Sequence, residues 1–183
     1  MKINDTKCTK STCEKYTLRF NDGYDWAIFT IDNIGMFNCQ SSFGNYAYHW
    51  SSFGSCFKSF LVKLDISYLL IKLCKRDYFD MDSHIKKCKK EIFRMRRESE
   101  ITKDQAKEAF EFITEGLDSC GSYDVTVYAI YESSIINEIS GDVCYSEFMP
   151  DKDYSPQQYA FVKSIYPEFV KILKAELNEK KTA

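Results

Sequence analysis

The residues best suited to chemistry lie around one short turn near the N-terminus. Asp22 and Asp25 follow closely after Lys15 and Arg19 in the chain. Metal-free RNA cleavage needs an acid–base group and a group that stabilises the charge developing on the phosphate. An aspartate beside an arginine could supply both, which makes Asp22 and Asp25 candidate catalytic residues. Asp22 belongs to the sequence Asn21-Asp22-Gly23, which is also typical of an ordinary hairpin turn. A purely structural turn therefore stays open as the alternative.

His49 is the third candidate for proton transfer. Its segment alternates like a strand, so the opposite face carries three aromatic side chains, Tyr46, Tyr48 and Trp50. That aromatic row predicts either a surface on which bases stack or part of a sheet core. The other histidine, His84, lies near the edge of an apolar helix face, where we expect it to pack or to cap.

The turn also carries the residue types that bind an unpaired RNA strand. Lys15 and Arg19 can neutralise phosphates. Tyr24 and Trp26 can stack on exposed bases. These four residues are therefore predicted RNA contacts.

The cysteines do not indicate a metal or cofactor site. None of the eight belongs to a CxxC pair, and only two histidines are present. We expect reduced and mostly buried thiols, with Cys8 and Cys13 exposed; a convergent metal site and a redox role are the alternatives. The chain also lacks P-loop, GxGxxG, GxSxG and HExxH motifs. No metal, cofactor or small-molecule substrate is predicted, and whether the chain is an enzyme stays open.

Charge is distributed unevenly along the 183 residues. The net charge is −2, which excludes a globally basic nucleic-acid coat protein and a strongly acidic DNA mimic. Residues 72–97 nevertheless carry a local net charge of +6, and residues 98–183 carry −9. Within the basic segment, five cations lie opposite the apolar stripe of one predicted helix: Lys86, Lys87, Lys90, Arg94 and Arg97. They are predicted to bind RNA phosphates; the alternatives are a solvated helix face, pairing with the acidic C-terminal half of the chain, or an acidic protein partner.

The elements that position these residues predict an α+β fold. Strands are predicted at residues 16–20, 26–31, 36–40 and 45–50, joined by Gly-containing turns. Helical spacing then begins, with one helix predicted at residues 81–97 and another opening at the Thr102–Gln105 capping box. Residues 125–131 fit either a strand or a helix. We expect a flexible tail at residues 1–14 and one domain at 15–183, with the sheet at 15–50 and mainly helices at 51–183. No apolar run is long enough to span a membrane.

Several motifs resemble a small-protein family carried by phages and prophages. They are GNYAYHW and FKSFLVKLDISYLLIKL within residues 43–73, and ITKDQAKEAFE at residues 101–111. The likeness covers about residues 16–113, and the whole chain also resembles streptococcal anti-CRISPR proteins directed at type II-A Cas9. The resemblance implies Cas9 and its guide RNA as partners, in the cytoplasm of the bacterial host, without a membrane.

The resemblance implies inhibition of Cas9, and the basic helix, which Cas9 would repel and RNA attract, favours action on or through the guide RNA. The protein would block guide loading or promote guide truncation. Two alternatives stay open. One is a non-enzymatic inhibitor that binds Cas9 and occludes target DNA. The other is a structural or regulatory phage protein.

Overall fold

The computed structural model describes residues 8–20, 23–141 and 147–182. They form two compact units. Unit 1 combines the residues up to Lys75 with those from Tyr154 onward, and unit 2 is Arg76–Asp153. In chain order the strands and α-helices are β1 (Glu14–Arg19), β2 (Trp26–Ile31), β3 (Met36–Ser41), β4 (Gly44–His49), α1 (Phe57–Val62), α2 (Ile66–Leu73), α3 (Met81–Arg97), α4 (Lys103–Glu111), α5 (Tyr123–Glu132), α6 (Ser134–Ser140), α7 (Pro156–Ala160) and α8 (Tyr166–Thr182).

The N-terminal half of the chain contains the predicted antiparallel sheet. Its strands pair in the order β1-β2-β3-β4, each antiparallel to the next. The alternation along each strand buries one side chain in two, as in β2, where Ala27, Phe29 and Ile31 face the core. Helices follow the sheet, so the predicted α+β class is confirmed.

The core of unit 1 is aromatic and joins the sheet to the last helices. Phe29 stacks on Phe169 with ring centroids 4.1 Å apart, and Tyr46 stacks on Phe161 at 3.9 Å. Trp50, which directly follows β4, is also buried, so the aromatic row at residues 46–50 belongs mainly to the sheet core. Its base-stacking alternative finds no support in this packing.

Helices α7 and α8 are joined through a π-helical turn, Phe161–Ile165. Ser155 caps α7 in a capping box with Gln158, and Pro156 occupies the first turn, where its missing N–H is not needed. Pro167 cannot donate a backbone hydrogen bond, and its ring crowds the carbonyl four residues earlier. The wider π turn ends at Ile165, two residues before this proline, and the helix continues through Pro167.

Unit 2 is helical and has its own apolar core. Buried residues of α3 and α4, including Ile92 and Ala109, pack with Ile113 and with residues of α5 and α6. The predicted capping box at α4 is present, since Thr102 and Gln105 bond each other's backbone N–H groups. The bounds predicted for α3 are also confirmed.

Residues 125–131 form part of helix α5, so the strand alternative was wrong. The Ser122 hydroxyl accepts a hydrogen bond from the Val125 N–H and starts the helix. Thr126 and Ile130, four residues apart, are then buried on one helical face. Capping and burial at this spacing outweigh the strand preference of the β-branched residues.

The single-domain prediction concerns cooperativity and stays a prediction, because two packing units can unfold as one domain. Within the described part of the chain, no helix is both long and apolar enough to cross a membrane.

Candidate nucleic-acid interface

Helix α3 positions the predicted cationic face. The Asp80 carboxylate accepts a hydrogen bond from the Ser83 N–H and starts the helix. Arginines in the last turn interact favourably with the negative, C-terminal end of the helix dipole. The apolar stripe, including Cys88 and Ile92, is buried in the core of unit 2. This burial fixes the rotation of the helix and turns the opposite face outward.

Two of the five predicted cations have acidic partners. Lys87 Nζ lies 2.8 Å from Asp151 Oδ2. Arg94 bonds three carboxylates, of Glu91, Glu98 and Glu100. These bonds raise the pKa of the Arg94 guanidinium, and its hydrogen bond holds the pKa of Glu100 below its usual range. The charges of Lys87 and Arg94 are therefore balanced within the protein. For these two residues this agrees with the alternative in which the cations pair with acidic side chains of the same chain.

The other three cations face solvent. In the regions that the structure describes, no carboxylate lies within ion-pair distance of Lys86, Lys90 or Arg97. Lys90 and Arg97 line an open depression of about 700 Å³ together with Phe93, Arg96 and Ser99. Their uncompensated charge makes this face of α3 the candidate interface for an anionic ligand.

Phe93 is a surface residue that the sequence reasoning missed. Its side chain is 56% exposed. The positions three and four residues away on either side are neighbours on a helix, and here all four are cations: Lys89, Lys90, Arg96 and Arg97. The signal was present in the run KKEIFRMRR, where an aromatic lies on the polar side of an amphipathic helix.

The hairpin residues lie on the open face of the sheet. Register places Arg19 directly opposite Trp26, and Lys15 lies on the same side of β1. Tyr24, in the turn, is 87% exposed. The structure thus brings Lys15, Arg19 and Trp26 to one surface, where they stay predicted RNA contacts.

The catalytic candidates do not meet in one site. Asp25 precedes β2 and accepts a hydrogen bond of 2.9 Å from the Ser42 hydroxyl. This bond links the start of β2 to the turn after β3. His49 ends β4 and pairs with Met36, at the opposite end of the sheet. The register separates Asp25 and His49 by about seven residues along the strands, roughly 20 Å. Asp22 lies outside the described residues.

A cleft lies beside β1, one of the two edge strands of the sheet. It has a volume of about 830 Å³ and is lined by Arg19 and Asp25 on the sheet side and by Glu168 and Lys171 on α8. Lys171 Nζ lies 2.7 Å from Glu168 Oε1, so the helix side contributes a closed ion pair. Arg19 is the cationic contribution from the sheet side of this cleft.

A cysteine and a histidine, Cys88 and His84, lie together on the buried face of α3. Cys88 Sγ is 3.6 Å from His84 Nε2. Burial raises the pKa of the Cys88 thiol to about 11 and lowers the pKa of His84. A neutral thiol beside a neutral imidazole is not an activated nucleophile, so this pair packs the core as expected for His84.

Among the other described cysteines, Cys39 and Cys120 are buried, and Cys8 and Cys13 are exposed as predicted. In the part of the chain with described coordinates, no three His, Cys, Asp or Glu side chains converge as metal ligands.

The comparisons with known proteins identify a family. A family model described as a phage family matches residues 6–175. No curated protein and no solved structure matches the chain. Since the family match covers most of the 183 residues, the chain belongs to this phage protein family.

Proposed function

We propose that this phage protein inhibits Cas9 in the host cytoplasm by binding the guide RNA through the outer face of α3. The observation that carries the proposal is the uncompensated charge of Lys86, Lys90 and Arg97 on one exposed helix face. Repulsion among these cations is relieved when phosphates bind between them. Membership of a phage family and the resemblance of the whole chain to anti-CRISPR proteins support the choice of Cas9 as the target.

Electrostatics favours the guide over the Cas9 protein as the binding partner. Cas9 holds its guide in a positively charged channel. A basic helix face is repelled by that channel and attracted to the RNA that fills it. Binding to the free guide would therefore compete directly with loading.

Blocking of guide loading accounts for inhibition without a cleavage step. Asp25 and His49 lie at opposite ends of the sheet and cannot act together on one phosphate. The proposal accordingly assigns the protein a binding role, and guide truncation is an outcome of the test.

The test is a Cas9 DNA-cleavage assay in which the protein is added before or after the guide. Inhibition is expected when the protein meets the guide first and is expected to weaken after loading. A denaturing gel should show the guide at full length. Cleaved guide, or equal inhibition in both orders, would contradict the loading mechanism; equal inhibition would favour occlusion of target DNA.

Charge-reversal variants test the surface. A variant with Lys86, Lys90 and Arg97 changed to Glu should lose inhibition and guide binding. The slope of log affinity against log salt should fall by about 2 if all three contact a single strand. The matched control reverses three exposed lysines of unit 1, Lys63, Lys75 and Lys174, and should retain inhibition. Full inhibition by the α3 variant would refute the proposal.

A further inference from the structure

We infer that Phe93 is the centre of a site for an unpaired nucleotide of single-stranded RNA, an inference that rests on the RNA-binding part of the proposed function. Phosphates would bind the surrounding cations while a base stacks on the phenyl ring. This assigns a ligand class and an anchoring residue to the face of α3.

The phenyl ring is held at the surface. Phe93 and Phe110 have ring centroids 5.7 Å apart at an angle of 51°, so α4 supports the ring from one side. Lys89 Nζ lies 4.8 Å from the centroid of the Phe110 ring, which places a cation at the base of this pair. Phe93 nevertheless remains more than half exposed, and its free surface is available for stacking.

A groove continues from Phe93 between α3 and α4. It has a volume of about 380 Å³. Ile92, Phe93, Ala106 and Phe110 give it an apolar lining, and its polar margin contains Arg96, Lys103, Lys107 and Glu111. Lys107 Nζ lies 3.7 Å from Glu111 Oε1, so these two side chains form an ion pair. Among the residues described, no carboxylate lies within ion-pair distance of Arg96 or Lys103. Sites of this size, apolar with charged groups at the edge, fit a small planar group bearing negative charge.

The arrangement selects an unpaired strand. In a duplex each base is stacked and paired, so its face cannot reach a side chain on a helix surface. A flexible single strand can turn one base onto Phe93 while its phosphates meet Lys90 and Arg97. Stacking of this kind strengthens binding by about 5- to 150-fold per base.

Self-association of this face is disfavoured. A symmetric dimer would bring the same patch from two copies together. Lys90, Arg96 and Arg97 would then oppose their own counterparts at short range, which is repulsive. The ligand that complements the patch is anionic, and the exposed ring requires that it also offers a flat apolar face.

The test measures binding of the full chain to a short fluorescent RNA without self-complementarity, by anisotropy. The same strand annealed to its complement is the duplex probe. The single strand should bind more tightly. Phe93→Ala should weaken its binding by about 5- to 150-fold, the loss expected when one base no longer stacks. Phe93→Trp should retain binding, and Tyr128→Ala, which removes a 65% exposed aromatic from α5, should leave it unchanged.

Each result has a defined meaning. Equal affinity for both probes, or wild-type affinity in Phe93→Ala, would overturn the inference. Thermal unfolding of each variant establishes that it is folded. If the oligonucleotide binds as expected but Cas9 remains active, the proposed inhibition fails and the nucleotide site stands. If Cas9 is inhibited but the oligonucleotide does not bind, the nucleotide site fails and inhibition stands.

Discussion

His84 illustrates how burial sets the charge of a side chain. Desolvation lowers its pKa, the positive charge of Lys87 lowers it further, and Asp151 opposes the shift. The folded protein therefore favours the neutral imidazole, while the unfolded chain accepts a proton near the ordinary pKa of about 6.5. Above that pH the imidazole is neutral in both states and the fold keeps its full stability. As the pH falls below it, the unfolded chain binds a proton that the folded protein disfavours, and the free energy of unfolding decreases.

His84→Gln should remove this dependence. We expect the urea midpoint of the unmodified protein to fall more steeply between about pH 7.5 and pH 5.5 than that of the variant. His49→Gln, at an exposed position on β4, is the control and should follow the unmodified protein. Parallel curves for the unmodified protein and His84→Gln would show that His84 does not control stability in this range.

At the scale of elements, the β2–β3 turn depends on one glycine. Asp32 accepts hydrogen bonds from the N–H groups of Ile34 and Met36, and Gly35 has a φ of 101°. A Cβ at Gly35 would lie 2.0 Å from the carbonyl oxygen of Trp50, whose N–H bonds the Gly35 carbonyl at 2.9 Å. The turn and the end of β4 therefore share a space that no side chain can enter.

Gly35→Ala should lower the unfolding free energy by about 3 kcal/mol or more, from backbone strain and the clash together. Gly54→Ala provides the control, because Gly54 also has a positive φ but no atom lies within 4 Å of its Cβ position. It should cost only about 1–2 kcal/mol of backbone strain. Similar urea midpoints for the two variants would contradict the role given to the Trp50 contact.

Two lysines on α3 differ in their environment and should differ in effect. Lys90 faces solvent, whereas Lys87 pairs with Asp151. Lys90→Gln should reduce the salt slope of single-stranded RNA binding by about 0.7, the value for one phosphate contact. Lys87→Gln removes the same charge and should reduce the slope by less than half as much. Equal reductions would indicate that only net charge matters.

The sequence predicts elements well where local signals agree. The Asp80 cap, the apolar stripe and the basic last turn of α3 all indicate the same helix, and its bounds are confirmed. Residues 125–131 were ambiguous because their β-branched alternation favours a strand whereas the segments around them have helical spacing. Local preference cannot decide such a case, since tertiary burial of Thr126 and Ile130 contributes the larger free energy.

The candidate site was predictable only where it depends on neighbours along the same helix. The cationic face follows from helical spacing, and the Glu91 and Glu98 partners of Arg94 could be found three and four residues away. Asp151 lies 64 residues beyond Lys87, so only the fold reveals that pair. The exposure of Phe93 likewise depends on how α4 packs.

At the scale of the whole molecule, the predicted single domain implies one cooperative transition. Both tryptophans, Trp26 and Trp50, belong to unit 1, so their fluorescence reports that unit, while far-UV circular dichroism reports helices of both units. The two signals should give coincident urea unfolding curves.

Ile113→Ala, in the core of unit 2, should cost about 2–5 kcal/mol and should shift both curves equally. Fluorescence that is unchanged in this variant would show that the units unfold independently.

The division of unit 1 into two chain segments has a consequence for synthesis on the ribosome. The sheet buries Phe29 against Phe161 and Phe169, which are translated only after the 78 residues of Arg76–Asp153. At about 5–20 residues per second, that delay is on the order of 10 s. During it the sheet has no partner from α8 for its apolar face, while all residues of unit 2 emerge before α7. The nascent chain therefore carries an aromatic surface that chaperones can hold until the last helices arrive.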